Sequence, residues 1–200
     1  MQAGRIVVLN GAPRSGKSST AAAMQSKVAG SWVNLGVDAL MRSTPAHLLP
    51  GIGLRPGGER PDLEPMVASL YRALYDAMAA FSKQGIDVVA DLGHHDGYSR
   101  PLGILADCAR RVTDLPAYLV GVRCPIDVIM ARRRQSPAGY EAGPGVPEPV
   151  QRWQDAVHVP GIYDLEIDSS RMSAEEAALQ IGAFIAHTPG PSAFKQLASM

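Results

Sequence analysis

The stretch RIVVLNGAPRSGKSST, residues Arg5 to Thr20, decides the fold. An apolar run stops abruptly in a loop of small residues, and the loop sets Lys17 between Gly16 and Ser18. Gly11-Ala12-Pro13-Arg14-Ser15-Gly16-Lys17-Ser18 is a complete G-x-x-x-x-G-K-[ST] motif. Glycines let backbone N–H groups turn inward with no Cβ in the way. Those groups, with the N-terminus of the helix that follows, make an anion site. Lys17 supplies a point charge toward β- and γ-phosphates, and the Ser18 hydroxyl is a ligand for Mg²⁺. Ser19 completes the predicted nucleotide-binding run Gly11 to Ser19. The strand stops because the loop has to wrap phosphates, which makes ATP and Mg²⁺ the expected cofactors.

Around that motif the chain alternates short apolar runs with longer helical patterns, which predicts βαβ units and a parallel sheet. The candidate strands are 5–10, 32–37, 86–92, 117–124 and 163–170. The third and fourth are nearly continuous apolar runs, as strands covered on both faces tend to be. A long helix is predicted from Asp62, with Met66, Leu70, Leu74, Met78 and Phe81 as its core stripe and Gly85 as its stop. Further helices are expected from Ser18 and at 99–111, 126–135, 148–157 and 173–187. Two Gly/Pro-dense segments, 43–62 and 136–149, resist regular structure and are of a length that usually serves function. We expect an acceptor loop over about 41–62 and a lid over about 132–150. The domain built on the phosphate loop would span 1–188, with 189–200 as a loose tail.

Composition narrows the partners. Nineteen basic and 19 acidic residues balance in 200, so no basic excess points to nucleic acid. At 46% hydrophobic residues the chain can bury a proper core. Cys108 and Cys124 make no disulfide framework and read as buried thiols. No apolar run reaches the length of a membrane span. The opening MQAGRIVVLN shows no signal-peptide pattern, and a cytoplasmic location is expected.

In a parallel sheet all strand C-termini share one edge, where ligands bind. IDVVADL brings Asp91 there in the form of a Walker B segment, near Ser18 and the metal. The competing reading is an Asp that opens a loop or caps a helix. His94, His95 and Asp96 follow, without the spacing of a recognised zinc site; contact with substrate or solvent is the expectation. Asp38 closes the predicted second strand in WVNLGVDALM. A carboxylate there could take a proton from a hydroxyl attacking the γ-phosphate. Equally, it could be the N-cap of a helix starting at Ala39.

The segments VVLNGAPRSGKSS, WVNLGVDAL, YLVGVRCP and HVPGIYDLEIDSS, in that order over about residues 5–170, resemble the chloramphenicol phosphotransferase family. The resemblance implies a three-layer α/β P-loop kinase fold with a five-stranded parallel sheet and a small lid. It implies an ATP-dependent O-phosphotransferase whose catalytic base is Asp38 and whose nucleotide loop is Gly11 to Ser18. The third strand departs from the family's paired acids, reading Ala90-Asp91-Leu92 and then two histidines. Arg132, Arg133 and Arg134 fall where such kinases carry lid arginines. Successive helical residues point about 100° apart, so at most two of them can face the site. Arg133 is the candidate for stabilising the transferred phosphoryl, Arg132 or Arg134 for stacking on adenine, with Arg123 a weaker candidate and a solvated basic face the plain alternative. The acceptor is a small-molecule hydroxyl. Chloramphenicol or a similar antibiotic is favoured; a metabolite or nucleotide-sugar kinase and a non-catalytic nucleotide switch are the alternatives.

Overall fold

The computed structural model describes residues 2–135 and 145–200. The apolar run after Arg5 forms β1 (Ile6–Asn10), buried along its whole length. It is followed by α1 (Lys17–Lys27), β2 (Trp32–Asn34), α2 (Val37–Ser43), α3 (Glu64–Lys83), β3 (Asp87–Leu92) and α4 (Ile104–Arg110). Then come β4 (Ala117–Arg123), α5 (Ile126–Gln135), α6 (Glu148–Ala156), β5 (Leu165–Asp168), α7 (Ala174–His187) and α8 (Ala193–Ala198). The strands form one parallel sheet in the order β2-β3-β1-β4-β5. The predicted five-stranded parallel sheet is therefore present, with β1 at its centre.

Each face of the sheet carries its own core. On one, Val67, Tyr71, Leu74, Tyr75 and Met78 of α3 pack with α4 and α8 on Ile6, Val8, Val88, Ala90 and Leu119. On the other, Ala21 and Met24 of α1 and Ala177, Ile181 and Ile185 of α7 cover Val7, Leu9, Val89, Val120 and Val122. Burial of each such side chain contributes roughly 1.5–3 kcal/mol. The α3 face is rotated from the predicted stripe: Val67, Tyr71 and Tyr75 are buried, whereas Met66 and Leu70 are only partly so. Two tyrosines can lie in that face because each finds a polar partner, the Gly93 carbonyl for Tyr71 and the His94 ring for Tyr75.

Four further expectations change. The second strand ends at Asn34, not at 37, because the Asn34 side chain accepts a hydrogen bond from the Gly36 amide at 3.1 Å and turns the chain. Asp38 consequently lies in the first turn of α2, whose N-cap is Gly36, and is neither a strand end nor a cap. The helix predicted over 99–111 starts at Ile104, since Pro101 precedes it and Gly103 takes φ 60°, with both Leu102 and Gly103 amides donating to Asp96. Segment 43–62 contains two short 3₁₀ turns, Ala46–Leu48 and Gly51–Leu54. Residues 136–144 of the expected lid lie outside the described residues, between α5 and α6.

The C-terminal residues expected to be loose form α8 instead. Asp164 explains why: its Oδ1 accepts hydrogen bonds from the Ser192 and Ala193 amides at 2.7 and 3.0 Å, while its Oδ2 accepts one from Leu119 N. Phe194 is then buried edge-on to Tyr75, with centroids 6.0 Å apart. Phe194→Ala should lower the unfolding free energy by about 3–5 kcal/mol, the usual range for emptying such a site. Urea denaturation checks this, and an unchanged midpoint would mean that the C-terminal segment is the dispensable tail the sequence suggests.

Candidate active site

A cleft of about 900 Å³ opens at the C-terminal edge of the sheet. Its floor is the loop after β1, with Gly11, Pro13, Arg14, Gly16, Lys17, Ser18 and Ser19 all lining it. Ala12 and Ser15 lie behind that surface, buried. Arg14 at φ 70° and Gly16 at φ 95° are left-handed, which wraps the loop around the space in front of α1. Gly11 is required by close approach, since a Cβ there would lie 2.5 Å from the Val122 carbonyl oxygen.

The loop is braced from behind. Ser169, just past β5, donates its hydroxyl to the Ser15 carbonyl at 2.5 Å. Arg132 of α5 donates to the Arg14 carbonyl at 3.2 Å and to the Ser169 carbonyl at 2.6 Å. Its guanidinium thus ties the loop to β5 while lining the cleft. Arg133 lines the cleft as well, whereas Arg134 is exposed. Arg123 points elsewhere, paired with Glu166 and lying over the Tyr163 ring.

Lys17 Nζ donates to the Ala12 carbonyl at 2.9 Å. Burial pulls its pKa down from 10.5 to about 8, against the opposing pull of the Asp91 and Asp38 carboxylates. The Ser18 hydroxyl donates to Asp91 Oδ2 at 2.5 Å. A hydroxyl and a carboxylate side by side at a phosphate loop fit a hard cation such as Mg²⁺, which prefers a few oxygen ligands and takes the rest from phosphate and water. Gly36 makes room for that carboxylate, since a Cβ there would come within 1.7 Å of Asp91 Oδ1. Asp38 projects into the same cleft, exposed, and accepts no hydrogen bond from any described residue.

The wall beyond Asp38 is built from Val37, Leu54, Arg55, Tyr71, Leu92 and Trp153. The sequence offered no sign of Trp153, which comes from α6 and touches β3's end only because Gly93 lacks a side chain. His94 and His95, expected to meet substrate or solvent, are buried, and neither lines the cleft. They are 2% and 4% exposed, and burial lowers the pKa of both, that of His94 to about 3. His94 bonds to the Tyr75 hydroxyl at 2.9 Å and is a core residue. Among the described residues no group of three or more His, Cys, Asp or Glu side chains is placed to hold a metal.

The fold and the phosphate loop define a P-loop kinase. Residues 4–186 match the chloramphenicol phosphotransferase-like protein family, and the chain belongs to it. It is similar to "Putative O-phosphotransferase Rv2636" of Mycobacterium tuberculosis (strain ATCC 25618 / H37Rv), at 27% identity over 98% of this chain and 89% of that one. Among solved structures it is similar to the M. tuberculosis APS kinase in complex with AMPPNP and APS. There the TM-score is 0.62 and the identity 18%, over 93% of this chain and 99% of that chain. The shikimate kinase of Acinetobacter baumannii in complex with shikimate superposes with TM-score 0.61 at 14% identity, over 92% and 93% of the two chains. Fold, loop and family together make the protein a small-molecule kinase. Among the described residues no helix is long and apolar enough to cross a membrane.

The depressed Lys17 pKa carries a sign that can be tested. Between pH about 8 and 10.5 the empty protein holds this lysine partly neutral, so the unfolded chain binds more protons and this group's contribution to stability rises with pH across that window. Polyphosphate placed against Lys17 raises its pKa again, so nucleotide binding near pH 8.5 should take up a fraction of a proton. Titration calorimetry in two buffers of different ionisation heat measures that uptake, which should vanish in Lys17→Met. Equal heats in both buffers for the wild type would place Lys17 away from the phosphates.

Proposed function

We propose that the protein transfers the γ-phosphoryl group of ATP to a hydroxyl of a small molecule, with chloramphenicol or a similar antibiotic as the favoured acceptor. The observation that carries this reading is Asp38: a carboxylate facing the cleft beside Lys17 and Asp91, with no hydrogen bond from any described residue. By contrast Asp96, at the same edge, has a structural duty, its Oδ1 accepting from the Leu102 and Gly103 amides.

In this reading the inward N–H groups of the loop and Lys17 hold the β- and γ-phosphates. Ser18 and Asp91 are the residues that would hold Mg²⁺, which supplies charge neutralisation on the phosphate oxygens when bound. The acceptor hydroxyl forms its bond to the γ-phosphorus as the bond to the β–γ bridging oxygen breaks. The electron pair leaves with ADP, and the hydroxyl proton passes to Asp38. Arg133 stabilises charge on the phosphoryl in flight. Arg132 shapes the nucleotide side of the cleft.

Asp38→Asn keeps the size of the side chain but loses the base, so ATP affinity should hold while kcat falls by roughly 10²–10⁴-fold. The assay is phosphoryl transfer from ATP to a panel of hydroxyl compounds, chloramphenicol first. Activity of the Asn variant within a few-fold of wild type would move the base elsewhere, and a protein that binds ATP but phosphorylates nothing would be a nucleotide switch. Arg133→Ala should lower kcat by about 10²-fold, on the scale of one lost charge-stabilising donor. A rise confined to KM would make Arg133 an ordinary binding group. Arg55 in the acceptor wall favours a second reading, a kinase for an anionic metabolite or nucleotide-sugar, because guanidinium groups recognise carboxylate and phosphate in pairs. The same panel, extended to such anions, separates the two.

A further inference from the structure

His95 belongs neither to the phosphate site nor to the core under α3. Its ring is sealed between three elements that together make the acceptor side of the cleft. From the acceptor loop, the Leu54 carbonyl lies 2.9 Å from His95 Nε2. From its own segment, the Gly97 amide donates to His95 Nδ1 at 3.1 Å. That bond leaves the ring proton on Nε2, where it is donated to Leu54. From α6, the Trp153 ring meets His95 edge-on, with centroids 5.0 Å apart and planes at 88°. Tyr98 stacks against the ring at 4.3 Å.

Two further contacts close the same joint. The Gly57 amide donates to the Gly97 carbonyl at 2.6 Å. Arg152, next to Trp153 in α6, pairs with Glu59 of the acceptor loop at 2.9 Å. Leu54 and Trp153 both line the cleft, and His95 does not. The histidine therefore holds two walls of a site that it never touches.

The geometry points to His95 as a positioning residue for acceptor recognition: through Leu54 and Trp153 it sets the width and shape of the acceptor side while leaving the nucleotide side unaffected. This rests on the acceptor being phosphorylated in this cleft. The physical basis is that Leu54 closes the second 3₁₀ turn in the middle of a Gly/Pro-rich loop with little other regular structure. Untied, the loop would have to be ordered as the acceptor binds, a cost that weakens acceptor binding while leaving the chemistry of the bound acceptor alone. The nucleotide side has its own brace, the Arg132 and Ser169 contacts on the opposite flank of the loop.

The test compares His95→Phe, which keeps a ring against Tyr98 and Trp153 but has no donor for Leu54, with His95→Gln, whose amide can reach the Leu54 carbonyl. In His95→Phe, amide exchange over residues 53–57 should quicken by tenfold or more. KM for the best hydroxyl acceptor in the panel should rise at least tenfold, with kcat within threefold and AMPPNP affinity unchanged. His95→Gln should restore both exchange and KM to within threefold of wild type. Unchanged exchange or unchanged acceptor KM in an active enzyme overturns the inference alone. Equal losses in Phe and Gln variants, or matching losses of AMPPNP affinity, reduce His95 to general packing and overturn it too. A wild-type protein inert toward the whole panel removes the transfer reading, and this inference with it. Glu59→Gln, which leaves His95 intact, guards against a Phe variant that fails to fold. It should quicken exchange over the same segment by a smaller factor, and no change there counts against a shared joint.

Discussion

Everything at the catalytic edge hangs on one buried amide. Asn10 ends the central strand, 2% exposed, and its side chain serves three segments at once. It donates to the Val157 carbonyl at 2.8 Å and to the Tyr163 hydroxyl at 2.9 Å, and accepts from the His94 amide at 2.7 Å. Those partners belong to the end of α6, the approach to β5 and the exit from β3. The phosphate loop begins at the next residue. The positions of the other walls are thus referred to the strand that carries the loop. Removing one partner would leave a buried polar group unsatisfied, which costs about 1–3 kcal/mol, so the arrangement is held as a unit.

The charges of the site follow from that framework. Lys17 is half-buried among the loop's backbone, where its positive charge is disfavoured, and the carboxylates of Asp38 and Asp91 oppose the effect. A site in that state is short of negative charge of the kind that a polyphosphate brings. Asp91 has already found a hydrogen-bond donor in Ser18, whereas Asp38 accepts no hydrogen bond from any described residue. The two acids at one sheet edge therefore differ in what they still lack. This difference supports giving the metal to one and the proton to the other.

Much of what looks chemical in the sequence is structural wiring. In HVPGIYDLEIDSS, His158 bonds to the Tyr163 hydroxyl at 2.8 Å, and Asp164 pins α8 to β4. Glu166 pairs with Arg123, and Asp168 accepts from the Ser170 amide and hydroxyl. Gly121 of the GVRC segment is needed because Tyr163 packs where its Cβ would be, 2.9 Å away. Titratable residues in a family-like motif can thus serve packing as readily as catalysis, and only their partners tell the two apart.

The sequence by itself determined the parallel sheet and the phosphate loop, because these rest on local patterns. Apolar runs of strand length, a glycine-rich turn and a helix start are each written in consecutive residues. It also put Asp38 and Asp91 at one edge, since parallel strands all end on the same side. Tertiary structure decided what depends on residues far apart in the chain. That Asp38 lies in the first turn of a helix instead of ending a strand is the local exception, since the Asn34 side chain accepts from the Gly36 amide only two residues on. That the C-terminal residues form α8 followed from Asp164 and a vacant apolar face beside Tyr75. That two adjacent histidines are buried, one in the core and one between Leu54 and Trp153, followed from hydrogen-bond partners 19 and 41 residues away. Local patterns show which residues are apolar or able to turn, but a polar side chain's role depends on the partner that reaches it. That partner is selected only when the layers close.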